Sequence, residues 1–241
     1  MKKIAMIPAR YAATRFPAKL MQPLGDRTVI RRTYENTVAT GLFDEVMVVT
    51  DSEIIYREVT SHGGKAVMSV QRHESGSDRI AEAVANLDFD IVVNVQGDEP
   101  FMAREPLRCL LEVFEGEAGQ QVKIASMMKI CRHAERITSP NCVKVVVDKQ
   151  MNSLYFSRSP IPFHREQSIA PVYYEHVGVY AFRKQTLLQF TRWPMGQHES
   201  VEKLEQLRYL ENGVLLKMVV VDFEGVGIDT PEDLARAAAL L

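Results

Sequence analysis

The chain has 241 residues, 46% of them hydrophobic and 25% charged, with a formal net charge of −2. That composition suits a globular protein built as one large α/β domain or two small ones. It excludes a low-complexity or strongly charged disordered chain, and its balanced charge gives no reason to expect nucleic acid as a partner.

Strand and helix patterns alternate from the start. Ile4-Ala5-Met6-Ile7 reads as a buried strand that Pro8 closes. The connection from Pro8 to Arg27 is unusually long for a loop joining a strand to a helix. Residues 1–32 hold Lys2, Lys3, Arg10, Arg15, Lys19, Arg27, Arg31 and Arg32 against a single acid, Asp26. Val29–Thr40 reads as a helix, Val46–Val49 as a strand and Ser52–Ser61 as a second helix with Ser52 as its N-cap. Asp78–Asn86 follows as a helix capped by Ser77, with Ile80, Val84 and Leu87 on one face. Ile91–Val95 and Ile124–Ile130 are further apolar strands. Continuous apolar strands separated by helices predict a parallel sheet covered on both faces.

The pattern changes near residue 134. Val143–Asp148 and Ser153–Phe156 flank Lys149-Gln150-Met151-Asn152 as a hairpin would. Ser159–Pro171 is irregular, with three prolines, and a strand follows at Glu175–Phe182. This stretch, about 134–183, reads as a β-rich insertion serving as a lid or a subunit interface; an antiparallel edge of the main sheet is the competing reading. Glu199–Glu211 reads as a helix with Val201, Leu204, Leu207 and Leu210 on its core face, and Val214–Val221 as a strand. Thr230 as N-cap and Pro231 at the first helical position open a terminal helix. Cys109, Cys131 and Cys142 include no C-x-x-C pair, and an odd count argues against a closed disulfide framework. No apolar run reaches membrane-spanning length, and Pro8 and Arg10 cut the N-terminal stretch too short for a signal peptide. A cytoplasmic protein without membrane insertion is expected.

Four loops carry the chemistry. Gln96-Gly97-Asp98-Glu99-Pro100 follows a strand directly, and ligands of open α/β sheets bind beyond the carboxyl ends of strands. An acid there can hold Mg²⁺ against a polyphosphate, because Mg²⁺ takes one or two carboxylates plus phosphate oxygens. A turn of solvated acids is the alternative. Arg10, Arg15 and Lys19 lie on the loop after the first strand, where arginines give paired contacts to phosphate and lysine a point charge. A merely solvated loop is the alternative there. Neither a Walker A loop nor a G-x-G-x-x-G fingerprint is present. His73–Arg79 opens a helix, whose free N–H groups suit a phosphate or a base edge, with Gly76 permitting close approach. Gly225-Val226-Gly227-Ile228-Asp229 is a third acid-bearing turn, flexible enough for Asp229 to meet Asp98.

Read together and in order, these segments stop being generic. Ile7-Pro8-Ala9-Arg10-Tyr11, Thr14-Arg15-Phe16-Pro17-Ala18-Lys19, His73–Arg79, Val93–Pro100, Asn141–Val146, Tyr155-Phe156-Ser157-Arg158, His176–Tyr180, Glu205–Arg208 and Gly227–Leu234 strongly resemble the 3-deoxy-manno-octulosonate cytidylyltransferases, over essentially the whole chain. The resemblance implies a single domain over 1–241 with a Rossmann-like nucleotidyltransferase fold: a mostly parallel sheet, helices on both faces, and the β-rich insertion. It implies transfer of CMP from CTP to 3-deoxy-D-manno-octulosonate (Kdo) with release of pyrophosphate, for lipopolysaccharide biosynthesis. It also implies Mg²⁺ and a homodimer.

Carried onto this chain, the resemblance makes Asp98, Asp229, Lys19 and Arg10 catalytic, with Asp98 and Asp229 as the metal ligands. Pro8, Ala9, Arg10, Arg15, Lys19, His73, Ser75, Gly76 and Arg79 would bind the nucleotide. Gln96, Arg158, His176, Tyr180, Glu205 and Gln206 would bind the sugar acid, an arginine suiting its carboxylate and the others its hydroxyls. Three positions depart from the family pattern. Ala18 stands where glycine is usual and has poorer access to positive φ. Ser77 replaces a threonine, and Cys142 a small alanine. Competing activities are transfer to an 8-amino octulosonate or a sialic-type acid; a non-catalytic nucleotide-sugar binder is the reading from another class.

Overall fold

Ile4, Ala5, Met6 and Ile7 are each fully buried. Successive strand residues point to opposite faces, so four in a row place the first strand between two covered faces. The computed structural model describes residues 1–12, 16–71, 73, 75–166, 168–222 and 225–241. It forms two compact units, Met1–Arg108 with Glu224–Leu241, and Cys109–Phe223.

The first unit contains β1 (Lys3–Ala9), β2 (Pro23–Leu24), β3 (Arg27–Thr28), β4 (Glu45–Thr50), β5 (Ala66–Met68) and β6 (Ile91–Asn94). Its sheet has the order β6-β1-β4-β5 with every strand parallel, Ile4 opposite Glu45 on one side and Val92 on the other. β2 and β3 form a separate antiparallel ladder. Helix Val29–Ala39 packs on β1 and β4, and helix Gly76–Val84 on β1, β4 and β6. The expected helices at 29–40 and 52–61 are present, while β5 was too short to stand out as a periodic run. The cap of helix Gly76–Val84 differs from expectation. Ser75, not Ser77, is its N-cap and accepts from the Asp78 N–H, whereas Ser77 is buried in the first turn. Ser52 occupies the N-cap of helix Glu53–Ser61 without a side-chain cap bond. Thr230 caps helix Pro231–Ala238 as expected, and Asp233 completes a reciprocal capping box.

The second unit contains β7 (Ile124–Ile130), β8 (Lys144–Val147), β9 (Ser153–Ser157), β10 (Tyr174–Arg183) and β11 (Lys217–Val220). β7 pairs antiparallel with β10 and parallel with β11; β8 pairs antiparallel with β9 and β10. The β8–β9 hairpin is held by Asp148, whose carboxylate accepts from the N–H groups of Gln150 and Asn152 at 2.8 Å each. The single helix expected over Glu199–Glu211 is broken into Gln197–Glu202 and Leu207–Glu211. Lys203 sits between them in the left-handed region, at φ 54°. The break rotates Val201 to 77% exposure, off the core face assigned to it, while Leu204 and Leu207 stay buried.

Candidate active site

A cleft of about 290 Å³ lies in the first unit, beyond the carboxyl ends of β1 and β6. Three connections build it, and backbone bonds lock them together. The turn after β6 approaches the end of β1 so closely that a Cβ on Gly97 would stand 3.1 Å from the Pro8 carbonyl oxygen. The Gly97 carbonyl accepts from Thr33 Oγ1 at 2.9 Å, which anchors the turn to helix Val29–Ala39. The Asp98 carbonyl accepts from the Ile228 N–H at 2.9 Å, which ties the same turn to the segment leading into helix Pro231–Ala238. Asp229 is then fixed by the capping carboxylate of Asp233, which accepts from its N–H at 3.0 Å.

This locking brings two carboxylates, remote in sequence, to one point. Lys19 Nζ donates to Asp98 Oδ2 at 2.5 Å and to Asp229 Oδ1 at 2.7 Å. The Lys19 side chain is 16% exposed, so burial opposes its charge; the attraction of Asp98 and the bonds to both acids outweigh that and raise its pKa. Lys19 reaches the pair from a helical turn, Lys19–Met21, that follows Ala18. Ala18 itself adopts φ 53° and ψ 27°, the left-handed conformation natural to glycine. Both carboxylates touching one ammonium also means both can touch one cation. Two carboxylates, with no cluster of three or more metal-ligating side chains among the described residues, suit a hard divalent ion that completes its shell from phosphate and water.

The opposite wall comes from helix Gly76–Val84. Gly76 lets the helix start approach the end of β1: a Cβ there would meet Pro8 Cγ at 3.3 Å. Arg79 is buried, donating to the Ala9 carbonyl at 2.7 Å and to Asp51 Oδ2 at 2.5 Å, while its Nε has no partner among the described residues. His73 Nε2 meets Glu82 Oε2 at 2.5 Å. Burial would raise the Glu82 pKa, but His73 and the N–H groups of Val70 and Gln71 lower it. Neither Asp51 nor Glu82 was among the sequence candidates. Each sits on a strand end or a helix, where an acid looks solvated until its basic partner is known.

Pro8, Ala9, Arg10, Lys19, His73, Ser75, Gly76, Arg79, Asp98 and Asp229 all line this cleft, and so does Gln96, expected on the sugar acid. Gln96 Nε2 donates to Asn94 Oδ1 at 3.0 Å. Phe16, Leu20 and Gly97 complete the lining. Arg15 lies outside the described residues.

The other sugar-acid candidates belong to the second unit. His176 packs against Phe156 and Tyr180, with ring centroids 5.0 and 5.4 Å away. Ser126 Oγ donates to the Val179 carbonyl at 2.9 Å and therefore accepts from His176 Nε2 at 2.8 Å. That places the ring proton on Nε2 and leaves Nδ1 as an acceptor. Loss of water pushes the His176 pKa down to about 3, so the ring is neutral at physiological pH. Burial raises the Tyr180 pKa, with a further contribution from Glu205, so these two side chains share a neighbourhood. Gln206 is buried at the start of helix Leu207–Glu211. Arg158 donates to backbone carbonyls: Nε to Glu202 at 2.7 Å, Nη1 to Pro140 at 2.8 Å and Nη2 to Lys203 at 3.4 Å.

The model of a cytidylyltransferase family matches residues 4–219. A 3-deoxy-manno-octulosonate cytidylyltransferase of Flavobacterium johnsoniae is 60% identical over 241 residues, covering 100% of this chain and 99% of that protein. Another, from Christiangramia forsetii, is 54% identical and covers 99% of this chain and 96% of its own. Among solved structures, a CMP:2-keto-3-deoxy-manno-octonic acid synthetase complexed with CTP superposes with a TM-score of 0.94 at 36% identity, covering 100% of this chain and 98% of that one. A 4-diphosphocytidyl-2C-methyl-D-erythritol synthase from Anaerococcus prevotii, 17% identical over 99% of this chain and 98% of its own with a TM-score of 0.64, shares the fold.

Proposed function

The chain belongs to the 3-deoxy-manno-octulosonate cytidylyltransferase family, and on that premise we propose that it transfers CMP from CTP to the anomeric hydroxyl of 3-deoxy-D-manno-octulosonate, releasing pyrophosphate. The observation that carries the reading is the convergence of Asp98 and Asp229 on Lys19, in a cleft whose other wall is a helix N-terminus with a buried arginine. In this reaction the anomeric oxygen forms a bond to the α-phosphorus while the bond to the bridging oxygen of pyrophosphate breaks. Such a step needs alignment and charge neutralisation more than covalent help.

Each residue has a part in that demand. Lys19 and Arg10 place positive charge beside the triphosphate, the kind of electrostatic complement that is often the largest catalytic contribution. The N–H groups of the first turn of helix Gly76–Val84 favour anionic oxygens. Ala9 and Arg79 form a polar edge for the base. Asp98 and Asp229 would hold Mg²⁺. When bound, that ion would neutralise phosphate charge and lower the pKa of the attacking hydroxyl. On the sugar acid, Arg158 has N–H groups for the carboxylate, and neutral His176, Tyr180, Glu205 and Gln206 offer donors and acceptors to hydroxyls.

The same reading includes a homodimer, supported by Phe163, Ile169 and Val172, which are 85%, 65% and 54% exposed in the irregular stretch before β10. It also includes a cytoplasmic role in lipopolysaccharide synthesis; no helix among the described residues is long and apolar enough to cross a membrane. The deciding experiment measures pyrophosphate release with four nucleoside triphosphates and a panel of keto-sugar acids, with and without Mg²⁺. Release confined to CTP, octulosonate and Mg²⁺ is the expected outcome. Release with an 8-amino or sialic-type acid instead would change the substrate, and no release with any pair would overturn the reading.

A further inference from the structure

Lys144, the first residue of β8, is fully buried. Its ammonium donates to three backbone carbonyls, those of Ser139 at 2.8 Å, Cys142 at 2.6 Å and Arg158 at 2.5 Å, and to no carboxylate among the described residues. A buried cation satisfied only by neutral oxygens keeps a desolvation cost that no ion pair repays. Burial accordingly lowers its pKa. Packing alone would be served as well by an apolar side chain of similar length.

What the three carbonyls have in common is Arg158. Lys144 fixes the Arg158 carbonyl and both ends of the segment Ser139–Cys142, and the Pro140 carbonyl between those ends receives Arg158 Nη1. The Arg158 N–H is held in turn by Glu202 Oε2 at 3.0 Å, and Glu202 Oε1 accepts from Ser157 Oγ at 2.6 Å. A guanidinium has five N–H groups. Among the described residues, the bonds to Glu202, Pro140 and Lys203 use three, which leaves one N–H on each terminal nitrogen to donate to a carboxylate.

We propose that Lys144 is a positioning residue for the sugar acid: by holding the Arg158 backbone and the Ser139–Cys142 segment, it sets the two remaining guanidinium donors for the substrate carboxylate. This rests on Arg158 contacting that carboxylate, as read above. The test is steady-state pyrophosphate release by the full chain carrying Lys144→Met, Lys144→Gln, Arg158→Ala, or Lys144→Gln with Arg158→Ala. Lys144→Met is expected to raise KM for the sugar acid at least ten-fold and to leave KM for CTP within two-fold. Lys144→Gln, which keeps two donors, falls between it and the parent and decides the matter if the methionine variant does not fold. In the Arg158→Ala background, Lys144→Gln adds less than two-fold, which a merely structural lysine would not show. Equal increases in both KM values, or additive effects in the double variant, overturn the proposal. An unchanged sugar-acid KM in Arg158→Ala removes the reading of Arg158 itself, whereas a rise there with none in either Lys144 variant removes the role of Lys144 alone.

Discussion

At Ala18 the backbone occupies the left-handed region, which costs an L-residue roughly 1–2 kcal/mol and glycine nothing. Part of that cost is recovered because alanine restricts the unfolded chain more than glycine does, by about 0.4–1 kcal/mol. Ala18→Gly is therefore expected to stabilise the protein by about 0.5–1 kcal/mol, read as a rise in Tm of about 1–4 °C. An unchanged or lower Tm would show that the turn carrying Lys19 is not strained. Lys19 itself separates two acids that would otherwise repel. Lys19→Met should lower Tm in chelator, and added Mg²⁺ should restore it by more than it shifts the parent, because a divalent ion then takes over the ammonium's place between Asp98 and Asp229. Asp98→Asn keeps the shape of the side chain but removes one of the two negative charges proposed to hold Mg²⁺. Its pyrophosphate release should fall by about 10²–10³-fold with little change in Tm. Near-parental turnover at limiting Mg²⁺ would remove Asp98 from the mechanism.

At the scale of elements, the caps do as much as the side chains to build the cleft. The Thr230 hydroxyl accepts from the Asp233 N–H, and Asp233 accepts from the N–H groups of Asp229 and Thr230. Thr230→Ala should cost about 1 kcal/mol, or about 2–4 °C in Tm. Because the same box positions Asp229, turnover should fall too; a drop in Tm with unchanged turnover would separate the cap from the site. This start was legible because Thr-Pro-x-Asp states a cap, a first-turn residue and a reciprocal acid in four letters. The start at Ser75 was less legible, since Ser75 and Ser77 both precede an amphipathic run and only Asp78 N–H, bonding back three residues, decides between them. The break at Lys203 had no local sign at all. No glycine or proline marks it, and the turn at Glu202–Lys203 is held by Arg158, distant in sequence.

For the molecule as a whole, the parallel sheet of the first unit was readable from its apolar runs, and with it the loops that bear Lys19, Asp98 and Asp229. Partners chosen in three dimensions were not readable: Asp51 for Arg79, Glu82 for His73, and the three carbonyls around Lys144. A half-buried histidine adds a property of the entire fold. His176 binds its proton near pH 6.5 when unfolded but only near 3 when folded. Its contribution to stability is thus present above about pH 6.5 and is lost as the pH falls toward 3, with a limiting slope of about 1.4 kcal/mol per pH unit. Partial solvent contact of the ring makes that slope a ceiling. Chemical denaturation at pH 7.5, 6 and 4.5 should show the parent losing stability faster than His176→Phe; parallel losses would mean that other groups govern the acid limb.

The first unit is not continuous along the chain: Glu224–Leu241 joins it only after Cys109–Phe223 has been made. On a ribosome adding about 5–20 residues per second, the turn bearing Asp98 emerges on the order of ten seconds before the segment bearing Asp229. The hydrogen bond from Ile228 to the Asp98 carbonyl closes only then. A nascent polypeptide arrested before that moment offers Lys19 a single acid, and the pair of carboxylates proposed to hold Mg²⁺ is complete only once Asp229 has emerged.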